Sequence, residues 1–317
     1  MQTLKHILYF ADGEFVPTRA FRRAVALAEQ HQAKLTLMDV TIESDITAEL
    51  VKRFGLADDV QQSEQRLAAL THLAETWVSG QPPQLRVTIG TPFIEVIRAV
   101  LRDGHDLVLK PVRPRPGCHG LFASSEMHLL RKCPCPVWID REPLAPDAAD
   151  ATPRCRGVLA AVDAAQPHST ALNHSILDAA ATVAAQDGAA LDLVHVWQAP
   201  FDGLPKGDRG APSGPQDAQL ADALQVIERQ HAAALEALAA GYREGMADGD
   251  LHLVRGTPAE QVLALAKALE SDLIVLATLS RPREPGLFIG TTAEDLLQAA
   301  QSSVLALKPA GFVSPVQ

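Results

Sequence analysis

The chain has 317 residues, 47% of them apolar, with 28 Lys and Arg against 38 Asp and Glu and a formal net charge of −10. That length predicts two domains of roughly 150 residues, and the composition excludes wholesale disorder. The charge opposes binding to nucleic acid or to an anionic lipid surface, because such affinity comes from Lys and Arg.

No apolar run approaches the ~18 residues that a membrane span needs. The amino terminus enters strand-like sequence without a signal-peptide core, so a cytoplasmic location is expected. Residues 6–11 form a short continuous apolar run, as in a strand buried on both faces. A turn at Asp12-Gly13 ends it. Helical spacing follows over 21–29, and 34–40 reads as a second strand. The alternation continues as helix 63–78, strand 84–87, helix 92–101, strand 107–110, helix 124–131 and strand 137–139. A stretch rich in Pro, Ala and Asp, 142–153, lacks apolar periodicity and is expected to link domain 1 (1–141) to domain 2 (154–317).

The second half runs through the same cycle: strand 157–162 ending at Asp163, helix 169–185, strand 191–196, helix 218–242, strand 251–254, helix 258–269, strand 273–276, helix 292–298 and strand 304–307. A loop rich in Gly and Pro, 201–215, is its longest excursion, a candidate lid or a surface loop. Such alternation predicts an α/β fold in each half, a parallel sheet with helices on both faces. The halves are copies: Gly90-Thr91-Pro92 and His105-Asp106-Leu107 return as Gly256-Thr257-Pro258 and Ser271-Asp272-Leu273, both landmarks shifted equally (256 − 90 and 272 − 106 give 166).

Cys118, Cys133, Cys135 and Cys155 match no CxxC or metal-ligand spacing. They read as free thiols in a reducing compartment, a redox-sensitive Cys133 and Cys135 pair being the alternative.

Ligands of open parallel sheets bind beyond the carboxyl ends of the strands. Asp163, His195-Val196 and the loop 277–290 converge on that edge in the second half. Gly290-Thr291-Thr292 opens a helix, whose free N–H groups and positive dipole end suit a phosphate. Thr291 and Glu294 also have capping-box spacing, which would use the hydroxyl internally. Asp163 reads equally as a turn residue or a ligand contact, and His195 as a packed strand-end histidine or a base. There is no Ser/His/Asp arrangement, GxSxG elbow, Walker A sequence or metal-ligand helix pair, so neither an enzyme nor a resident metal is expected.

Asp163, the strand Leu193-Val194-His195-Val196 and the segment 277–294 together resemble the universal stress protein family. Adenine-nucleotide members of that family carry Gly, two residues, Gly, nine residues, then Gly followed by Ser or Thr. Ala277, Ser280 and Gly290-Thr291 keep that spacing with two glycines replaced by small residues. In the first half the positions are Pro111 and Pro114, then Ala123-Ser124 after eight residues; Asp12 matches Asp163. Residues 125–139, with His128-Leu129-Leu130-Arg131-Lys132-Cys133-Pro134-Cys135-Pro136-Val137-Trp138, resemble the tandem E type of the family.

The resemblance implies two tandem Rossmann-like domains of the adenine nucleotide alpha hydrolase type, each with a five-stranded parallel sheet. It implies stress-response ligand binding, with a small-molecule site in domain 2 that takes ATP. Asp163 would contact the adenine or ribose, and Ala161, Val196, Leu276 and Leu279 would line its pocket. Ala277, Ser280, Gly290, Thr291 and Thr292 would surround phosphates, which would hold Mg2+. It also implies an internal pseudo-dimer through the last strands, 137–139 and 304–307, with homo-oligomers as a further expectation. A scaffold or binder of a lipid-like, non-nucleotide ligand is the alternative, and a weak ATPase a third reading.

Overall fold

A computed structural model describes residues 4–42, 59–113, 124–142, 153–199, 215–246, 248–278 and 291–316. Its first elements are β1 (His6–Phe10), α1 (Arg19–His31), β2 (Lys34–Thr41), α2 (Asp59–Trp77), β3 (Gln84–Ile89), α3 (Pro92–Asp103), β4 (Leu107–Val112), α4 (Ser124–Lys132) and β5 (Val137–Arg141). There follow β6 (Gly157–Val162), α5 (Thr170–Asp187), β7 (Ala190–Trp197), α6 (Pro215–Ala239), β8 (Leu251–Arg255), α7 (Pro258–Ala268), β9 (Leu273–Ala277), α8 (Thr291–Ala299) and β10 (Ser303–Leu307). The alternation predicted from the apolar runs is therefore present. Residues 143–152 of the expected linker and 201–214 of the expected loop lie outside the described residues.

The chain divides into two compact units. In the first, five parallel strands lie in the order β3-β2-β1-β4-β5. β10 joins this unit, antiparallel to β5, with Leu305 opposite Trp138. Trp138 is fully buried, and the Arg23 guanidinium lies 4.7 Å from its ring centroid. Cys133 and Cys135 are buried free thiols with sulfurs 3.6 Å apart. Hydrogen bonding to Cys133 and burial push the Cys135 thiol up, away from the reactive thiolate. Cys118 lies outside the described residues.

In the second unit β9, β6, β7 and β8 are parallel and adjacent in that order. Since β10 falls in the first unit, four of the strands among the described residues stand in this unit and six in the other.

The repeated Gly-Thr-Pro has one mechanical role in both units. Gly90 and Gly256 sit at φ 150° and 143°, where side chains are strained. Thr91 and Thr257 stand at the N-cap positions of α3 and α7 without a side-chain capping bond, and Pro92 and Pro258 occupy the first turn, where a missing N–H costs nothing.

Candidate functional site

β6, β7 and β9 run parallel, so their carboxyl ends open on one edge of the second unit. A cavity of about 390 Å³ lies there. Six residues expected at the site line it: Ala161 and Asp163 at the end of β6, Val196 on β7, Leu276 and Ala277 on β9, and Thr292 in the first turn of α8. Leu279, Ser280, Gly290 and the side chain of Thr291 lie outside the described residues. Leu172, Ile176, Val194, Val262 and Leu296 make most of the remaining wall apolar. The mixture is that of a small-molecule pocket: a large apolar surface with a few placed polar groups.

Asp163 is held by its backbone. The Asn173 side chain, from α5, accepts from the Asp163 N–H (3.1 Å) and donates to its carbonyl (2.7 Å). Asn173 is itself buried, so both bonds are shielded from water. This leaves the Asp163 carboxylate free of any hydrogen bond among the described residues and able to face a ligand. Neither bond was legible in the spacing, since only the start of α5 brings residue 173 back to residue 163.

Beside Asp163 the structure places a pair that the sequence did not announce. His195 Nε2 lies 2.7 Å from Nδ1 of His231 on α6, and His231 stacks at 5.5 Å on Trp197. The Ala164 N–H reaches His195 Nδ1 at 3.3 Å, and the Val162 carbonyl lies 3.2 Å from the same nitrogen. Burial lowers the pKa of both rings, and the Asp163 charge opposes that shift in each. Both rings are thereby biased towards the neutral form, in which one of the two facing nitrogens donates and the other accepts. His195 is a packed strand-end histidine with a partner, and no nucleophile is paired with it among the described residues.

Sheet register fixes which residues correspond between the units. Ile7 stands opposite Leu107 and Val158 opposite Leu273, giving offsets of 151 (158 − 7) and 166 (273 − 107). Lys110 of β4 then matches Leu276. Its ammonium is buried 2.6 Å from Glu126 of α4 and 2.7 Å from Asp12, the counterpart of Asp163. Glu126 is the third residue of α4 as Ala293, a cavity residue, is the third of α8. Where the second unit has an apolar pair lining space, the first has an ion pair. Asp39, matched to His195 by pairing one residue beyond Met38, likewise bonds Arg66 and accepts the Gly13 N–H at 2.9 Å.

No helix among the described residues is long and apolar enough to cross a membrane. Over its whole length the chain is 29% identical to Universal stress protein E of Escherichia coli K12, of which it covers 98%. It is 25% identical to Universal stress protein E homolog of Haemophilus influenzae, over 96% of this chain and 97% of that one. A universal stress protein structure from Pseudomonas aeruginosa UCBPP-PA14 matches with a TM-score of 0.68 at 21% identity, covering 97% of this chain and 94% of that one. A universal stress protein from Archaeoglobus fulgidus DSM 4304 matches at 0.59 and 16% identity, with 98% of each chain covered. These likenesses show a shared fold. The model of the Universal stress protein family matches twice in succession, at residues 3–141 and 156–308, and with those tandem copies the chain belongs to the universal stress protein family.

Proposed function

We propose that the second unit is the ligand-binding half of this protein and that its cavity takes an adenine nucleotide. The observation that carries this reading is the cavity itself: strand ends with a fixed Asp163 and the first turn of a helix, Thr292 and Ala293, line one space. A helix amino terminus offers N–H groups and a positive dipole end to phosphates. The apolar walls accept a base, and Asp163 accepts hydroxyl hydrogen bonds from a ribose. Mg2+ would enter with the nucleotide, held mainly by phosphate oxygens. The first unit would not bind, because Lys110 pairs with both Glu126 and Asp12 at the corresponding place.

Isothermal titration of Mg-ATP into the protein and into Asp163→Ala tests this. One nucleotide per chain, weakened at least tenfold by the substitution, is expected. No binding to either protein at millimolar nucleotide would sink the proposal. The predominance of Leu, Ile and Val in the walls supports a second reading, an apolar ligand without phosphates. Native mass spectrometry separates the two: a lipid-like mass supports the second and a nucleotide mass the first.

A further inference from the structure

Thr18 and Ser169 are equivalent, at the same offset of 151, and each stands immediately before the first α-helix of its unit. Their hydroxyls fare differently. Thr18 Oγ1 accepts the Phe21 N–H at 3.0 Å and lies 2.9 Å from the Tyr9 hydroxyl. Ser169, at φ −88° and ψ −7°, makes no capping bond. Its Oγ is buried and has no hydrogen-bond partner among the described residues, Ser169 being only 2% exposed.

The register explains the difference. Tyr9 pairs with Leu109 in the first unit, and Ala160 pairs with Val275 in the second, so alanine stands where the tyrosine was. Phe21, against which the Tyr9 ring packs edge-on at 5.4 Å, corresponds to Leu172. The second unit has lost an aromatic ring, the hydroxyl that ring carried and part of its neighbour. Ser169 and Leu172 both line the cavity. A buried hydroxyl without a partner is costly and is retained where something else completes it.

We propose that Ser169 reads the edge of a planar ring on the ligand, the ring taking the place that Tyr9 fills in the first unit. This rests on the adenine-nucleotide reading and assigns the base of the nucleotide to the Ser169 side of the cavity. A purine edge presents both acceptor nitrogens and an amino donor, either of which completes a serine hydroxyl.

The test uses adenosine and Mg-ATP on the full chain by titration calorimetry, with thermal unfolding of the unliganded protein as a second readout. Ser169→Ala is expected to weaken both ligands about fivefold to tenfold, one hydrogen bond's worth. It should also leave the unliganded midpoint unchanged or higher, because an unsatisfied group is removed. Ala160→Tyr is expected to abolish binding by filling the ring's place, with Ser169→Ala deciding the matter if that variant does not fold. Unchanged affinity in Ser169→Ala overturns the assignment of Ser169 while leaving the nucleotide site standing. A lowered midpoint with proportionately lowered affinity assigns Ser169 a structural role and also overturns it. Absence of binding by the unsubstituted protein overturns the nucleotide reading and this inference together.

Discussion

Lys110 is the sharpest point at which to perturb the first unit. Its side chain is 2% exposed and Glu126 7%, with nitrogen and oxygen 2.6 Å apart, whereas Asp12 is 38% exposed. Among the described residues Glu126 Oε2 has no partner, so the ammonium is the main compensation for that carboxylate. Lys110→Leu leaves a buried acid uncompensated, which costs about 3–5 kcal/mol. The more exposed contact to Asp12 adds little. At about 2–4 °C per kcal/mol for a unit of this size, its midpoint should fall by about 6–20 °C. Lys110→Leu combined with Glu126→Ala reproduces the residues of the second unit, Leu276 and Ala293. Removing both charges together should return stability to within about 2 kcal/mol of the parent. The coupling between the two positions is then at least about 1–3 kcal/mol, the excess of Lys110→Leu over the double variant, and larger by whatever Glu126→Ala alone costs, measurable by urea denaturation of the four proteins of a double-mutant cycle. A single variant within 1 kcal/mol of the parent, estimated against the uncertainty of such extrapolations, would refute the argument. So would a double variant as unstable as the single.

Two further outcomes follow from the geometry. His105 lies with its ring 3.9 Å from that of His6, both Nε2 atoms on Thr36 Oγ1, and burial followed by the His6 charge lowers its pKa to about 4. A folded-state value below the unfolded ~6.5 means the unfolded chain binds the extra proton. Stability from a neutral His105 is therefore complete above the unfolded value and is lost as pH falls towards about 4. His105→Gln should reduce that acid-side loss by roughly 3 kcal/mol, seen as a flatter dependence of the urea midpoint on pH between neutral and acid. Asn173→Ala removes two buried hydrogen bonds from the backbone of Asp163 and should cost about 2 kcal/mol. It should also weaken nucleotide binding by releasing Asp163, whereas a substitution on the exposed face of α5 should do neither; calorimetry and denaturation read both.

The elements themselves were written plainly in the sequence. Strands such as 157–162 and 273–277 are continuous apolar runs, and Gly-Thr-Pro announces the starts of α3 and α7 through glycine φ and proline at the first turn. The framework of the candidate cavity was legible in part: Ala161, Asp163, Val196, Leu276, Ala277 and Thr292 line it at strand ends and a helix start that the pattern locates, while the choice of those residues came from the family resemblance. What could not be read were partnerships across distance. His231 is 36 residues from His195, Asn173 acts on a backbone, and Lys110 finds Glu126 only once α4 is placed over β4. The missing partner of Ser169 was hidden for a further reason. It emerges only when the copies are aligned at 151 near their first helices, while the visible repeat runs at 166.

The pairing of β10 with β5 bears on how this gene can be cut and recombined. The first unit is discontinuous along the chain, its sheet completed by a strand encoded some 160 residues after β5 (303 − 141 gives 162). A fragment ending at the middle of the chain would carry every parallel strand of that unit and still expose the ladder edge of β5. Open edges of that kind recruit other strands. The duplicated sequence thus has two interchangeable-looking halves, but severing them leaves the first with an adhesive border.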